Sequence, residues 1–231
     1  MKRLKRWQIA LICAALVIAL CAGAFFIYVG DYYHADASSL SAYTVSVEAA
    51  DNRDVGFIFY PGGKVEASAY NALIANLEAR GFSAFLVPMP FNLAFFGVNK
   101  ADEIIAAHPS VAHWYIGGHS LGGVAASIYA SGSDKIEGVV LLGSYSTKDL
   151  TDKRVLSVYG SEDGVMNRKA YEENKINLPA DFEEVVIEGG CHAGFGMYGA
   201  QSGDGTPKIT SAEQTDETCE LISRFLLRSY Q

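Results

Sequence analysis

The pentapeptide Gly118-His119-Ser120-Leu121-Gly122 has the residue types and spacing to carry out nucleophilic chemistry. A serine hydroxyl attacks a carbonyl only when a base takes its proton, and it must project from a sharp strand-to-helix turn to be reached. Glycines two positions to either side leave room for the strained backbone of such a turn. The flanking residues fit, because an apolar run ends at Ile116 and a helical pattern starts at Leu121. A helix beginning there would aim backbone N–H groups and the positive end of its dipole at the site. A serine that merely caps a glycine-rich helix start is the plainer alternative, so the other members of the constellation decide.

The chain has five histidines from which to draw a base. His34 lies in a polar stretch before the main domain, His108 precedes Pro109 at a helix end, and His113 starts a strand. His119 adjoins the serine, but neighbours on a tight turn point apart, so it is expected to pack under the turn. His192 remains, in the loop Gly189-Gly190-Cys191-His192-Ala193-Gly194 just after an apolar strand ending at Ile187. A carboxylate must then hold the imidazole in one tautomer and stabilise its positive charge. Asp163, in Gly160-Ser161-Glu162-Asp163-Gly164, directly follows the strand pattern at 155–159 and is the choice over Glu162. This chemistry needs no cofactor. A metal is not expected, since there is no HExxH, no paired cysteine ligands and no helix with two histidines at ligand spacing.

These groups need a frame that brings distant loops together. Residues 55–60 (VGFIFY) form a continuous apolar run like a buried strand, followed at once by the turn Pro61-Gly62-Gly63. Tyr70, Leu73, Ile74 and Leu77 then fall at helical spacing, stopping at Gly81. The unit recurs, with strands at 82–87, 113–116, 138–142, 155–159 and about 184–187, and helices at 100–107, 121–130 and about 212–227. An alternating pattern at 43–47 (YTVSV) reads as an edge strand. Short apolar runs alternating with helices predict an α/β fold with a mostly parallel sheet flanked by helices, whose reactive groups gather at the carboxyl ends of strands.

The segments GHSLGG, GSEDG and GGCHAGFG, each after its own strand, resemble the α/β-hydrolase superfamily, in particular small dienelactone-hydrolase-like members. The resemblance covers about residues 43–231, and the chain order Ser, Asp, His is the one that fold uses. Dienelactone hydrolases themselves have a cysteine nucleophile where this chain has Ser120. The resemblance implies an oxyanion hole of two backbone amides, from Leu121 and from Gly63, with Lys64 the alternative to Gly63. It implies a serine hydrolase acting on a carboxylic ester or related small-molecule acyl substrate. A membrane-proximal lipase or acyltransferase would use the same triad, whereas a non-catalytic binding protein on this scaffold would usually have lost a member. Only about a dozen residues separate the strand ending at Leu142 from the next strand, too few for a large helical lid. The aromatic stretch 89–96, with Phe91, Phe95 and Phe96, is the candidate acyl-pocket wall.

Half of the 231 residues are apolar, enough for one catalytic domain with a buried core. All four charges before Asp31 are basic, leaving 14 basic against 26 acidic residues after them. That balance argues against a nucleic-acid partner. Residues 7–30 carry no charge, which predicts a single membrane-spanning helix with the basic end in the cytoplasm and the domain outside. Were it a cleaved signal peptide, Ala22-Gly23-Ala24 would be the cleavage site and the domain would be secreted. Residues 31–42 read as a linker and 43–231 as the catalytic domain. Outside the membrane, Cys191 and Cys219 could form a disulfide.

Overall fold

The computed structural model describes residues 5–44 and 52–228, which fall into two compact units, Met1–Tyr32 and Tyr33–Gln231. The first is essentially one helix, α1 (Arg6–Gly30), whose 25 residues are long and apolar enough to cross a membrane, a test a signal sequence also passes. At 1.5 Å per residue it measures about 37 Å, against a bilayer core of about 30 Å.

The second unit is built on six parallel strands, β1 (Asn52–Tyr60), β2 (Phe82–Leu86), β3 (His113–His119), β4 (Ile136–Leu142), β5 (Arg154–Gly160) and β6 (Glu183–Ile187), in the order β2-β1-β3-β4-β5-β6. Strand β1 illustrates why the runs are continuously apolar. Phe57 and Phe59 point into one core layer and Ile58 and Tyr60 into the other, all fully buried. The first layer is closed by α3 (Asn71–Ala79) and α7 (Ser211–Leu227) through Leu73, Leu77, Ile222 and Phe225. The second is closed by α4 (Ala101–Ala107) and α5 (Leu121–Ala130) through Ile105, Ala125 and Ala126. Helix α7 starts with a capping box in which Thr210 and Glu213 exchange hydrogen bonds, the usual way a helix satisfies its first free N–H groups.

The chain winds from β1 to β2 on one side and then crosses to β3 on the other. The carboxyl ends of β1 and β3 therefore lie side by side, with Tyr60 opposite Gly118 in register. Ligands of open α/β sheets bind at such a reversal point.

Three features differ from the sequence reading. The stretch expected as a linker is largely part of the second unit: Tyr33 N–H donates to Lys64 O at 2.8 Å, and α2 (Ala37–Ala42) follows. The edge strand expected at 43–47 falls mostly outside the described residues, and Tyr43 and Thr44 are not in a strand. Helix α6 (Arg168–Asn174) was not foreseen, because RKAYEEN carries no apolar stripe and buries only Tyr171.

Candidate active site

Ser120 stands between β3 and α5 with φ 51° and ψ −120°, a region that costs an L-residue on the order of 1–3 kcal/mol. The surroundings hold it there. Its N–H donates to Leu142 O at 2.9 Å and its carbonyl accepts from Ser144 Oγ at 2.7 Å. The flanking glycines are required by contact. A Cβ at Gly118 would lie 2.4 Å from the Gly122 carbonyl carbon, and one at Gly122 would lie 2.1 Å from Tyr60 O.

His192 follows β6, and its ring is almost completely buried. Its Nδ1 lies 2.9 Å from Asp163 Oδ2. An ionised carboxylate only accepts, so Nδ1 carries the proton and Nε2 presents a lone pair. That Nε2 has no hydrogen-bond partner. Asp163 is fixed from its other oxygen, which accepts from Val165 N–H at 2.9 Å and Met166 N–H at 2.8 Å. Glu162, the rival acid, instead forms an ion pair with Lys208 at 2.6 Å. Of the other histidines, His108 packs at a tilt against Phe85 with ring centroids 4.4 Å apart, and His113 pairs with Glu137.

Ser120 and His192 open onto one cavity of about 200 Å³, walled by Leu121, Val124, Tyr145, Val165 and Met166. Phe91, Phe95 and Phe96, the expected wall, do not line it and are exposed. The expectation assumed that a loop following a strand's carboxyl end points its rings inward, which periodicity does not encode. Gly143, after β4, packs against the buried pair. A Cβ there would sit 2.9 Å from His192 Nδ1 and 3.1 Å from Asp163 Oδ2.

The loop after β1 approaches from the opposite side. A Cβ on Gly63 would meet Leu121 Cδ2 at 2.8 Å, so the two residues are neighbours. Gly62 N–H donates to Tyr70 Oη at 3.1 Å and Lys64 N–H to Asn92 O at 2.7 Å. Among the described residues, no hydrogen bond engages the N–H of Gly63 or of Leu121. Of the two candidates for the early-loop amide, Gly63 is thus the one left available.

A second layer escaped the sequence reading. Asp204 accepts four backbone N–H groups, from Gly164, His192, Ala193 and Gly205, and so ties the loop of Asp163 to that of His192. Burial opposes its charge, but those four donors prevail and hold its carboxyl below the usual range. Gln214 on α7 grips the same loop, accepting from Cys191 N–H and donating to Cys191 O. His119 lies beneath the turn, as expected, with Nδ1 2.8 Å from Tyr70 Oη and its ring 4.4 Å from that of His192. Burial first, and the adjoining His192 second, drive its pKa well below the ordinary value, so His119 stays neutral.

The two cysteines of the domain are unbridged. Cys191 belongs to the histidine loop, whereas Cys219 turns its thiol toward Leu73 O on α3, 3.5 Å away. The face of α7 that meets the histidine loop is occupied by Gln214, five residues earlier. Burial pushes the Cys191 thiol up to about 11.

A family model described as "Alpha/beta hydrolase family" matches residues 56–216, more than half of the chain. Solved structures share the fold at low identity. A monoacylglycerol lipase from Paleococcus ferrophilus is 15% identical with a TM-score of 0.59, over 78% of this chain and 96% of that one. A predicted CIB-like hydrolase from Thermoplasma acidophilum is 16% identical with a TM-score of 0.53, over 76% and 89%. The pyrethroid hydrolase PytH is 14% identical with a TM-score of 0.58, over 77% and 99%. No curated protein matches. These likenesses reach the family and the fold, and stop short of the dienelactone-hydrolase-like subtype.

Proposed function

The chain belongs to the alpha/beta hydrolase family and is a hydrolase, and from that premise we propose that it cleaves carboxylic esters through an acyl-enzyme formed on Ser120. His192 Nε2 takes the serine proton as Oγ adds to the ester carbonyl. The tetrahedral oxyanion is held by the N–H groups of Gly63 and Leu121. Collapse breaks the bond to the alkoxy group, which leaves with the proton from His192. Water then repeats the sequence, with His192 again the base, and releases the acid and free Ser120. Asp163 keeps the imidazole in the tautomer that leaves Nε2 basic and stabilises the imidazolium.

The observation that carries this reading is the buried His192–Asp163 pair at 2.9 Å, which leaves Nε2 without a hydrogen-bond partner while His192 and Ser120 line one cavity. The strained backbone of Ser120 supports it, since such strain persists only where surroundings impose it. A cavity of about 200 Å³ with apolar walls suits a short acyl group, being below the roughly 300–1,000 Å³ of drug-sized sites. In this reading α1 is retained as an anchor and the domain lies outside the cytoplasmic membrane, given the basic residues that precede it.

Hydrolysis of a series of soluble esters, from acetate to decanoate, tests the proposal. Short acyl chains should be turned over, and Ser120→Ala should lower kcat/KM by on the order of 10⁴-fold or more. Activity that survives in Ser120→Ala would overturn it.

A further inference from the structure

Tyr70 is fully buried, and its hydroxyl stands between two loops of the site. It accepts from Gly62 N–H at 3.1 Å, and its Oη lies 2.8 Å from His119 Nδ1. The helical spacing of Tyr70, Leu73, Ile74 and Leu77 calls only for an apolar side chain here, and Phe59 packs on the ring with centroids 5.1 Å apart. A buried hydroxyl where phenylalanine would fill the core costs free energy unless its hydrogen bonds are made. Those bonds join the loop after β1 to the end of β3.

Each proton along this chain has a direction. Among the described residues, Gly62 N–H and His119 Nδ1 are the two groups bonded to Tyr70 Oη. The backbone N–H can only donate, so the hydroxyl proton is left for His119. Nδ1 is therefore the acceptor, and the neutral imidazole carries its proton on Nε2. The fit is close, since a Cβ on Gly62 would lie 2.8 Å from both His119 Nδ1 and Tyr70 Oη.

The ends of the chain are the two sides of the oxyanion site. Gly62 precedes Gly63, while His119 is followed by Ser120 and Leu121. The Gly62–Gly63 peptide is held at its carbonyl too, because Gly62 O accepts from Val65 N–H at 3.3 Å. In a trans peptide C=O and N–H point opposite ways, so the Gly63 N–H is turned away from Val65. We propose that Tyr70 and His119 are positioning residues for the oxyanion hole: the chain from Gly62 through the Tyr70 hydroxyl to His119 sets the spacing between the N–H groups of Gly63 and Leu121. The inference rests on the ester-hydrolase reading above, in which those two amides hold the tetrahedral oxyanion. Such donors act at about 2.7–3.1 Å from the oxyanion, so small displacements are costly.

The test compares the full chain with Tyr70→Phe, which removes one oxygen and keeps the ring. On a soluble butyrate ester, kcat should fall about 10- to 100-fold with KM within about twofold. Propyl trifluoromethyl ketone adds to Ser120 Oγ, the serine proton passing to His192, and leaves an oxyanion between the two amides; its inhibition constant should rise by the same factor as kcat falls. His119→Leu should lose as much as Tyr70→Phe, and the double variant no more than either alone, because all three break one chain. His119→Asn keeps an acceptor near the place of Nδ1 and should recover kcat to within about fivefold of wild type. A Tyr70→Phe chain that melts at a lower temperature yet keeps kcat and the inhibition constant within about twofold has lost packing alone and would overturn the proposal. So would His119→Asn with no more activity than His119→Leu, and that pair decides the matter if Tyr70→Phe does not fold. A wild-type chain that neither hydrolyses the ester nor binds the ketone would refute the ester-hydrolase reading, and the inference with it.

Discussion

Replacing Asp204 by asparagine should weaken both the fold and the chemistry, although this residue lies outside the triad. Its Oδ1 accepts from Gly164, His192 and Gly205, and its Oδ2 accepts from Ala193 at 2.8 Å. Asparagine keeps one oxygen but turns an amide group toward the Ala193 N–H, so one bond is lost and two donors oppose each other. Hydrogen bonds to a charged group are worth about 1.5–3 kcal/mol each, and partial exposure places this one at the low end, so the expected loss is about 2 kcal/mol. For a domain of this size that is a fall in Tm of about 4–8 °C. The His192 loop loses one of its ties to the Asp163 loop, and a displacement of about 1 Å at a catalytic group costs up to about 10²-fold. We therefore expect kcat to fall about 10- to 100-fold with KM nearly unchanged. The pH dependence has a definite sign. The folded carboxyl is held below its ordinary value, so its contribution is fully present above the unfolded pKa of about 3.9 and disappears as pH falls through the folded value. The Tm gap between wild type and variant should accordingly close in acid. Differential scanning calorimetry from pH 7 to 3, with ester kinetics at pH 7, measures both effects. A variant whose Tm is within about 1 °C of wild type and whose kcat is within about twofold would refute the reasoning.

Gly143→Ala should abolish most activity, because a Cβ 2.9 Å from His192 Nδ1 forces the pair with Asp163 apart; kcat should fall at least about 10²-fold, with the left-handed backbone adding about 1–2 kcal/mol of destabilisation in thermal melts. Met166→Ala should shift the preferred acyl chain to longer esters, since the side chain walls the cavity while its backbone N–H, which holds Asp163, is retained; the chain-length profile of kcat/KM reads this directly. Cys191 and Cys219 should resist a thiol reagent at pH 8 in the native protein and both react on denaturation without reductant. Both are buried and unbridged, and burial raises both thiols.

The centre of the sheet was legible because β1, β3 and β4 are buried on both faces, so that runs such as VGFIFY and VVLL announce themselves as continuous apolar segments. The loops that carry Ser120 and Asp163 were legible for a related reason, since each is bracketed by glycines and directly follows such a run. Asp204 was not. In Gly203-Asp204-Gly205 it reads as a solvated turn acid, and its role comes from N–H groups as far as forty residues away in the chain. Tyr70 was read only as a helix-period core residue, although its hydroxyl joins Gly62 of the β1 loop to His119 beneath the nucleophile turn. Loop side-chain direction was equally hidden. The rings of Phe91, Phe95 and Phe96 were expected in the pocket and are exposed, while Val165 and Met166, which wall the cavity, drew no notice because they follow Asp163 without a periodic pattern. Sequence separation likewise says nothing about whether two cysteines face each other, and Cys219 faces α3.

Labelling of the full chain with a fluorophosphonate probe, followed by peptide mass mapping, tests the central claim most directly. An activated serine paired with His192 and Asp163 predicts one phosphonylated residue, Ser120, and loss of labelling in His192→Ala. A folded wild-type chain that takes up no probe, or one labelled at another serine with Ser120 unmodified, would contradict the account.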